Sequence, residues 1–185
     1  ARYGITGTGN STSMVAFGGT STGPYLSITE SWNGSSWTEV ADLNTAKYYS
    51  GRSGESNTSA FAFGGLTPPS TATTEQWDGS SWTEVADLNT ARHNATGSGA
   101  GSTTLALAFG GATPVNANTE SCKGSSWSEV NDLSTARRDI GNRGSSTSAI
   151  AMGGDTGTAN TAASEEWAFP PTTGSTILQE GQLWF

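Results

Sequence analysis

W-N-G-S-S-W-T-E-V-A-D-L-N-T-A-K, residues 32–47, returns almost unchanged twice in this chain. The second copy, W-D-G-S-S-W-T-E-V-A-D-L-N-T-A-R, starts at Trp77, and the third, C-K-G-S-S-W-S-E-V-N-D-L-S-T-A-R, starts at Cys122. Each step is 45 residues. A fourth copy begins at Trp167 and dissolves into Ala168, Phe169, Pro170 and Pro171. At the other end, Ala1-Arg2 sits 45 residues before Ala46-Lys47. A Gly-Gly pair keeps the same beat: Gly18-Gly19, Gly64-Gly65, Gly110-Gly111 and Gly153-Gly154. Its spacings of 46, 46 and 43 place the length variation between the Gly pair and the Trp. A fixed period of this size marks a repeat architecture, in which one unit cannot bury its own apolar face and neighbours must stack.

Each unit reads as four short strands, a to d, without a helical periodicity. Strand a is a Gly-rich run such as Tyr3–Gly9 or Ile140–Gly144. Strand b is the apolar run ending at the Gly pair, strand c carries E-x-W, and strand d carries W-[TS]-E-V. The N-G-S-S and D-G-S-S segments between c and d suit tight hairpins. Strand b alternates bulky and small residues: Val15-Ala16-Phe17, Phe61-Ala62-Phe63, Leu107-Ala108-Phe109 and Ile150-Ala151-Met152. Alternate residues of a strand face opposite sides. Stacked sheets then set the bulky side of one unit on the small side of the next, as radial four-stranded sheets require.

Composition limits the function classes. Of 185 residues, 33% are hydrophobic and only 13% charged, with a net charge of −8. The sequence pI of about 4.4 argues against nucleic acid, which needs a basic surface. No run of apolar residues is long enough for a membrane-spanning helix. A single Cys excludes an internal disulfide framework and a Cys-based zinc cluster.

The order of apolar run, Gly-Gly, aromatic, Trp and then a basic residue resembles the Kelch repeat. That resemblance covers residues 1–171 and implies an all-β, Kelch-like β-propeller of four four-stranded blades, whole or part of a larger ring. The units span about 1–45, 46–90, 91–135 and 136–171, with 172–185 as a tail or the lead-in to a further module. It implies that Trp32, Trp77 and Trp167, and then Trp37, Trp82 and Trp127, pack between blades. The pattern departs at Cys122, where the first aromatic is lost, and after Pro170, where the second is lost. The Ser/Thr-rich A-F-G-G and E-x-W-N-G-S-S-W style also resembles repeats in virion structural proteins of marine tailed phages. The chain opens in mid-repeat, which reads as a portion of a longer polypeptide; a closed four-blade ring is the alternative.

Most charges recur with the repeat: Glu30, Glu75, Glu120 and Glu165; Glu39, Glu84 and Glu129; Asp42, Asp87 and Asp132; and Arg2, Lys47, Arg92 and Arg137. A catalytic group is needed once, whereas a residue in every unit solves a problem every unit has. These charges are expected to cap turns, hold the c–d hairpin, or pair Arg with Glu between blades. His93, the single His, has no Ser or Cys nucleophile motif around it and is read as a partly solvated residue opening strand a. Cys122 stands where a Trp belongs and reads as a packing thiol. The one-per-blade Asp residues do not form a D-x-D-x-D calcium loop. W-D-G-S-S-W loosely resembles the Asp-box turn of sialidases but recurs as W-N-G-S-S-W, a plain turn.

What is left is binding. The b–c loops differ most between units, and in a four-strand meander they share a face with the d–a crossovers. Variable loops on a repeated scaffold carry recognition. Tyr25, Pro68, Pro69, Pro114 and Asn116 are the candidate ligand-contacting residues. The expected function is non-enzymatic, without cofactor or metal: a structural or adhesive module on a phage particle (tail-fibre, receptor-contacting or capsid-decorating). Other virion proteins or a host surface protein or glycan are its partners, and self-association is compatible with it. An intracellular Kelch adaptor is the alternative.

Overall fold

The computed structural model describes residues 1–98 and 105–168. They form strands and no helix. The first sheet comprises β1 (Thr6–Asn10), β2 (Ser13–Phe17), β3 (Thr29–Trp32) and β4 (Trp37–Val40). The second comprises β5 (Gly51–Ser56), β6 (Ser59–Phe63), β7 (Thr74–Trp77) and β8 (Trp82–Val85). The third comprises β9 (Thr96–Gly97), β10 (Leu105–Phe109), β11 (Thr119–Lys123) and β12 (Trp127–Val130). Among the described residues the fourth holds β13 (Gly141–Gly144), β14 (Ser148–Met152) and β15 (Ser164–Ala168). Every sheet is an antiparallel meander in chain order, and the sheets are arranged as a four-blade β-propeller.

Register repeats with the sequence. Phe17 faces Thr29, Phe63 faces Thr74, Phe109 faces Thr119 and Met152 faces Ser164. The first two c–d hairpins are closed by the same device in Asn and Asp form, whereas the third, with Lys123 at that position, is held by backbone bonds between Lys123 and Ser125 and Ser126. Asn33 Oδ1 accepts from the N–H of Ser35 and Ser36 at 2.9 and 3.0 Å. Asp78 Oδ1 accepts from Ser80 and Ser81 at 2.8 Å each, which holds its carboxyl at about 2. Either side chain serves, because only an acceptor oxygen two and three residues before the donors is needed.

Three apolar clusters each straddle two blades. Val15, Phe17 and Leu43 of the first blade meet Ala60, Ala62, Trp77 and Trp82 of the second. Phe61, Phe63 and Leu88 meet Ala106, Ala108, Cys122 and Trp127 of the third, and Leu107 and Phe109 meet Ala149, Ala151 and Trp167 of the fourth. Each buried Phe or Leu contributes about 1.5–3 kcal/mol that a lone sheet would forfeit. Cys122 is buried, and burial pushes its thiol upward, in keeping with a packing role. The outward faces of the array differ: Trp37 is 46% exposed, and Ile150 and Met152 are 37% and 40% exposed.

The Gly pair ties these layers together. Gly64 has φ +60° and Gly65 φ +115°, a backbone few other residues adopt. A Cβ on Gly64 would lie 2.4 Å from the Arg92 carbonyl oxygen, which accepts the Gly65 N–H at 2.9 Å. The same bond joins Gly19 to Lys47 and Gly111 to Arg137.

Most of the repeated charges hold the scaffold, with one correction to the expected pairing, while Glu39, Glu84 and Glu129 are exposed. Lys47 pairs with Glu75 at 3.2 Å, Arg92 with Glu120 at 3.0 Å and Arg137 with Glu165 at 2.6 Å. Both members of each pair lie in one unit, bridging the start of strand a to strand c, not in adjacent blades. The contact between blades runs through Asn44, whose backbone and side-chain N–H groups donate to Glu75 at 2.6 and 3.0 Å; Asn89 does the same for Glu120. The first two pairs are buried, and desolvation lowers the Lys47 pKa against the opposing pull of Glu75. Asp42, Asp87 and Asp132 accept the backbone N–H of Thr29, Thr74 and Thr119 at 3.0–3.2 Å.

Candidate functional site on the loop face

After each T-A-[KR] element the chain enters a blade through two residues that vary from unit to unit: Tyr3-Gly4, Tyr48-Tyr49, His93-Asn94 and Arg138-Asp139. The first residue of each pair makes an isolated antiparallel bridge to the residue following the Gly pair: Thr20, Leu66, Ala112 and Asp155. Crossover and b–c loop therefore share a face. The second residue of each pair turns left-handed, with φ of +64°, +54°, +53° and +53°. That turn breaks strand a, which is why β1 begins at Thr6 and not at Tyr3 as the sequence indicates. Its N–H groups link the blades in succession: Tyr49 donates to Gly4 O at 3.1 Å, Asn94 to Tyr49 O at 2.9 Å and Asp139 to Asn94 O at 3.4 Å. Asn and Asp adopt this backbone readily, whereas a Tyr there is strained by about 1–3 kcal/mol.

The strained Tyr49 belongs to a cluster. The chain has 4 Tyr, and all of them gather at the first two blades of this face. Tyr25, from the first b–c loop, stacks on Tyr48 with centroids 5.1 Å apart and planes 12° from parallel. Tyr48 meets Tyr49 at 4.6 Å. Desolvation first, and then the neighbouring Tyr25, Tyr49 and Tyr3 hydroxyls, raise the Tyr48 pKa. Tyr3, Tyr25 and Tyr49 remain exposed, so the ring faces form a solvent-facing platform.

The next blades continue the face with polar groups. Ser70 Oγ and Thr113 Oγ1 both approach His93 Nδ1, at 2.8 and 3.0 Å, and lie 2.9 Å from each other. Burial and then the nearby Arg138 lower the His93 pKa, partly offset by Asp139. Among the described residues no carboxylate accepts a bond from this ring, so the contact locks two loops and does not reproduce a nucleophile–base–orienter relay. Arg138 donates to Asp155 Oδ2 at 3.1 and 2.8 Å, which raises its own pKa and lowers that of Asp155. Among the described residues no group of three His, Cys, Asp or Glu is placed to hold a metal.

Of the residues singled out in the sequence, Tyr25 lies in the aromatic platform, and Pro68 and Pro69 are exposed on the loop before Ser70. Pro114 is exposed beside Thr113. Asn116 turns inward: its N–H donates to Gly111 O at 3.1 Å and its side chain to Pro114 O at 3.2 Å, so it shapes its own loop. Sequence reading missed Tyr49, Asn94 and Asp139. Their signal was present, because they stand two places after a nearly invariant T-A-[KR] and differ in every unit. No protein-family model matches the chain, and no curated protein matches it.

Proposed function

We propose that this chain is a non-enzymatic, Kelch-like recognition module of a phage particle, in a tail-fibre, receptor-contacting or capsid-decorating part. Its loop face binds a host-surface protein or glycan through the platform of Tyr3, Tyr25, Tyr48 and Tyr49. The observation that carries this reading is the confinement of every Tyr to one exposed cluster. Tyr supplies a large, rigid, amphipathic contact area at low conformational cost, and it is enriched where proteins recognise partners. The particle setting is supported by the Ser/Thr-rich repeat style and the weakly charged acidic surface.

The test has two readouts. Antibody against the chain should label phage particles, and the isolated chain should bind host cells. Tyr25→Ala with Tyr48→Ala should cut cell binding at least about tenfold while leaving the fold intact, because a central aromatic contact contributes about 2 kcal/mol or more. Labelling confined to the host interior, or unaltered binding by the double variant, contradicts the proposal.

A further inference from the structure

We infer that the ligand of the loop face is a neutral oligosaccharide, an uncharged chain of hexose units that stacks on the tyrosines and reaches the Ser70–His93–Thr113 contact with its hydroxyls. The inference deepens the loop-face reading above and rests on it. Its basis is the charge of the face. The b–c loops 20–28, 66–73 and 112–118 contain no Asp, Glu, Lys or Arg, and the fourth, 155–163, contains only Asp155. The crossover pairs add Arg138 and Asp139. These charges pair with each other: Arg138 lies 2.8 Å from Asp155 and 3.8 Å from Asp139, and Asp139 also accepts from Asn94 Nδ2. An anionic ligand meets no unpaired cation in these segments, and a cationic one meets carboxylates that are already held. A protein partner of average composition is about 25% charged, and an interface answers such charges with its own. A neutral sugar presents only hydroxyls and apolar C–H faces.

Such a ligand needs flat apolar surface and hydrogen-bonding groups, and the face has both. Tyr3 is 59% exposed, and among the described residues no other ring packs on it. Tyr25 is 37% exposed and carries the Tyr48 ring on one face. The face of an aromatic ring is electron-rich, so it attracts the weakly positive C–H groups of a pyranose. The polar groups are Ser70, Thr113 and His93, whose side-chain atoms lie 2.8–3.0 Å apart. A hydroxyl has one donor and two acceptor positions, so this mutual contact leaves capacity for a sugar hydroxyl. Thr113 is exposed. Burial lowers the His93 pKa, which keeps the ring uncharged at neutral pH, in keeping with the rest of the face.

The spacing sets the length of the ligand. Tyr48 bridges Leu66, and Leu66 bridges Ser70. Two antiparallel bridge spacings put Ser70 about 10 Å from Tyr48. One hexose does not span the rings and the hydroxyls, whereas a chain of joined units does.

The full chain is tested on an array of uncharged di- and tetrasaccharides of glucose, galactose and mannose, with tetragalacturonate and sialyllactose as acidic counterparts. Saturable binding to at least one neutral tetrasaccharide is expected, at least about tenfold tighter than to any acidic member. Affinity should change less than about twofold in about 1 M salt, where charges are screened beyond about 3 Å. Tyr3→Ala, at an exposed ring, should leave Tm unchanged and weaken binding at least about fivefold. Thr113→Val should weaken tetrasaccharides roughly two- to tenfold, the share of one hydrogen bond, and disaccharides less. Absence of binding to every neutral member, a preference for the acidic members, or loss of binding in salt overturns the inference. Cell binding that survives periodate oxidation of surface sugars but not protease keeps the loop-face reading and overturns this one. Cell binding that is unaltered by Tyr25→Ala with Tyr48→Ala overturns both.

Discussion

Trp37, Trp82 and Trp127 occupy one repeat position within nearly identical sequence, so truncating each to Ala separates the blade junction from the blade. Trp82 and Trp127 are both 5% exposed and each packs a Phe of the preceding blade, whereas Trp37 is 46% exposed and its aromatic neighbour is Trp32 of its own sheet, 5.5 Å away. Removing a buried Trp costs about 3–5 kcal/mol. Trp82→Ala also takes the indole donor from Thr29 Oγ1, which places it toward the upper end. Trp37→Ala forfeits only part of that burial and should cost no more than about 1 kcal/mol. For a chain of this length, each kcal/mol shifts Tm by about 2–4 °C. The expected losses are therefore roughly 6–20 °C for Trp82→Ala and Trp127→Ala, against roughly 4 °C or less for Trp37→Ala. Calorimetry and urea unfolding on the three variants give the comparison, with the urea slope checking that the unfolding unit is unchanged. Equal losses at the three positions, or the largest at Trp37, would refute the reasoning that blades stabilise each other across these clusters.

Three further outcomes follow from the same geometry. Gly110→Ala puts a Cβ 2.4 Å from the Arg137 carbonyl oxygen at φ +63° and should destabilise by at least about 1–3 kcal/mol, while Gly23→Ala, with nothing within 4 Å, should be neutral or slightly stabilising; thermal melts decide. Glu120→Ala leaves the buried Arg92 without its counter-ion and should cost about 3–5 kcal/mol, whereas Glu39→Ala at the exposed edge should change stability by less than about 0.5 kcal/mol in urea titrations. The His93 pKa is lowered in the folded chain from its ordinary 6.5, so the unfolded chain takes up the proton first. Stability should then be flat above that pH and decline as pH falls below it, and His93→Gln should flatten that part of the Tm-against-pH profile.

The propeller was legible because the chain contains its own comparison. The three [WC]-x-G-S-S-W segments, the Gly pairs and the bulky–small alternation through Phe17, Phe63 and Phe109 fix strand number, turn positions and the need for stacking. What the repeat could not show is which copies have a neighbour. W-T-E-V is identical at Trp37 and Trp82, yet one indole is half in solvent and the other is buried, because burial here is set by the adjoining blade. Nor could it show that Lys47 pairs within its own unit, since the d–a crossover brings the start of strand a and strand c of one blade together. The loop face was legible in location but not in content. Variation among units flagged Tyr25, Pro68, Pro69 and Pro114, but the left-handed turn that presents Tyr49 depends on backbone hydrogen bonds between successive blades. The Ser70–His93–Thr113 contact likewise joins two loops whose approach depends on the junction beneath them.

Solvent access to individual indoles tests the stacked-blade account most directly. With 5-fluorotryptophan incorporated and each resonance assigned by single Trp→Phe variants, the fluorine shift between H2O and D2O reports whether water reaches a ring. The account predicts no solvent shift at Trp82 and Trp127 and a clear one at Trp37. Equal shifts at all three positions would contradict it.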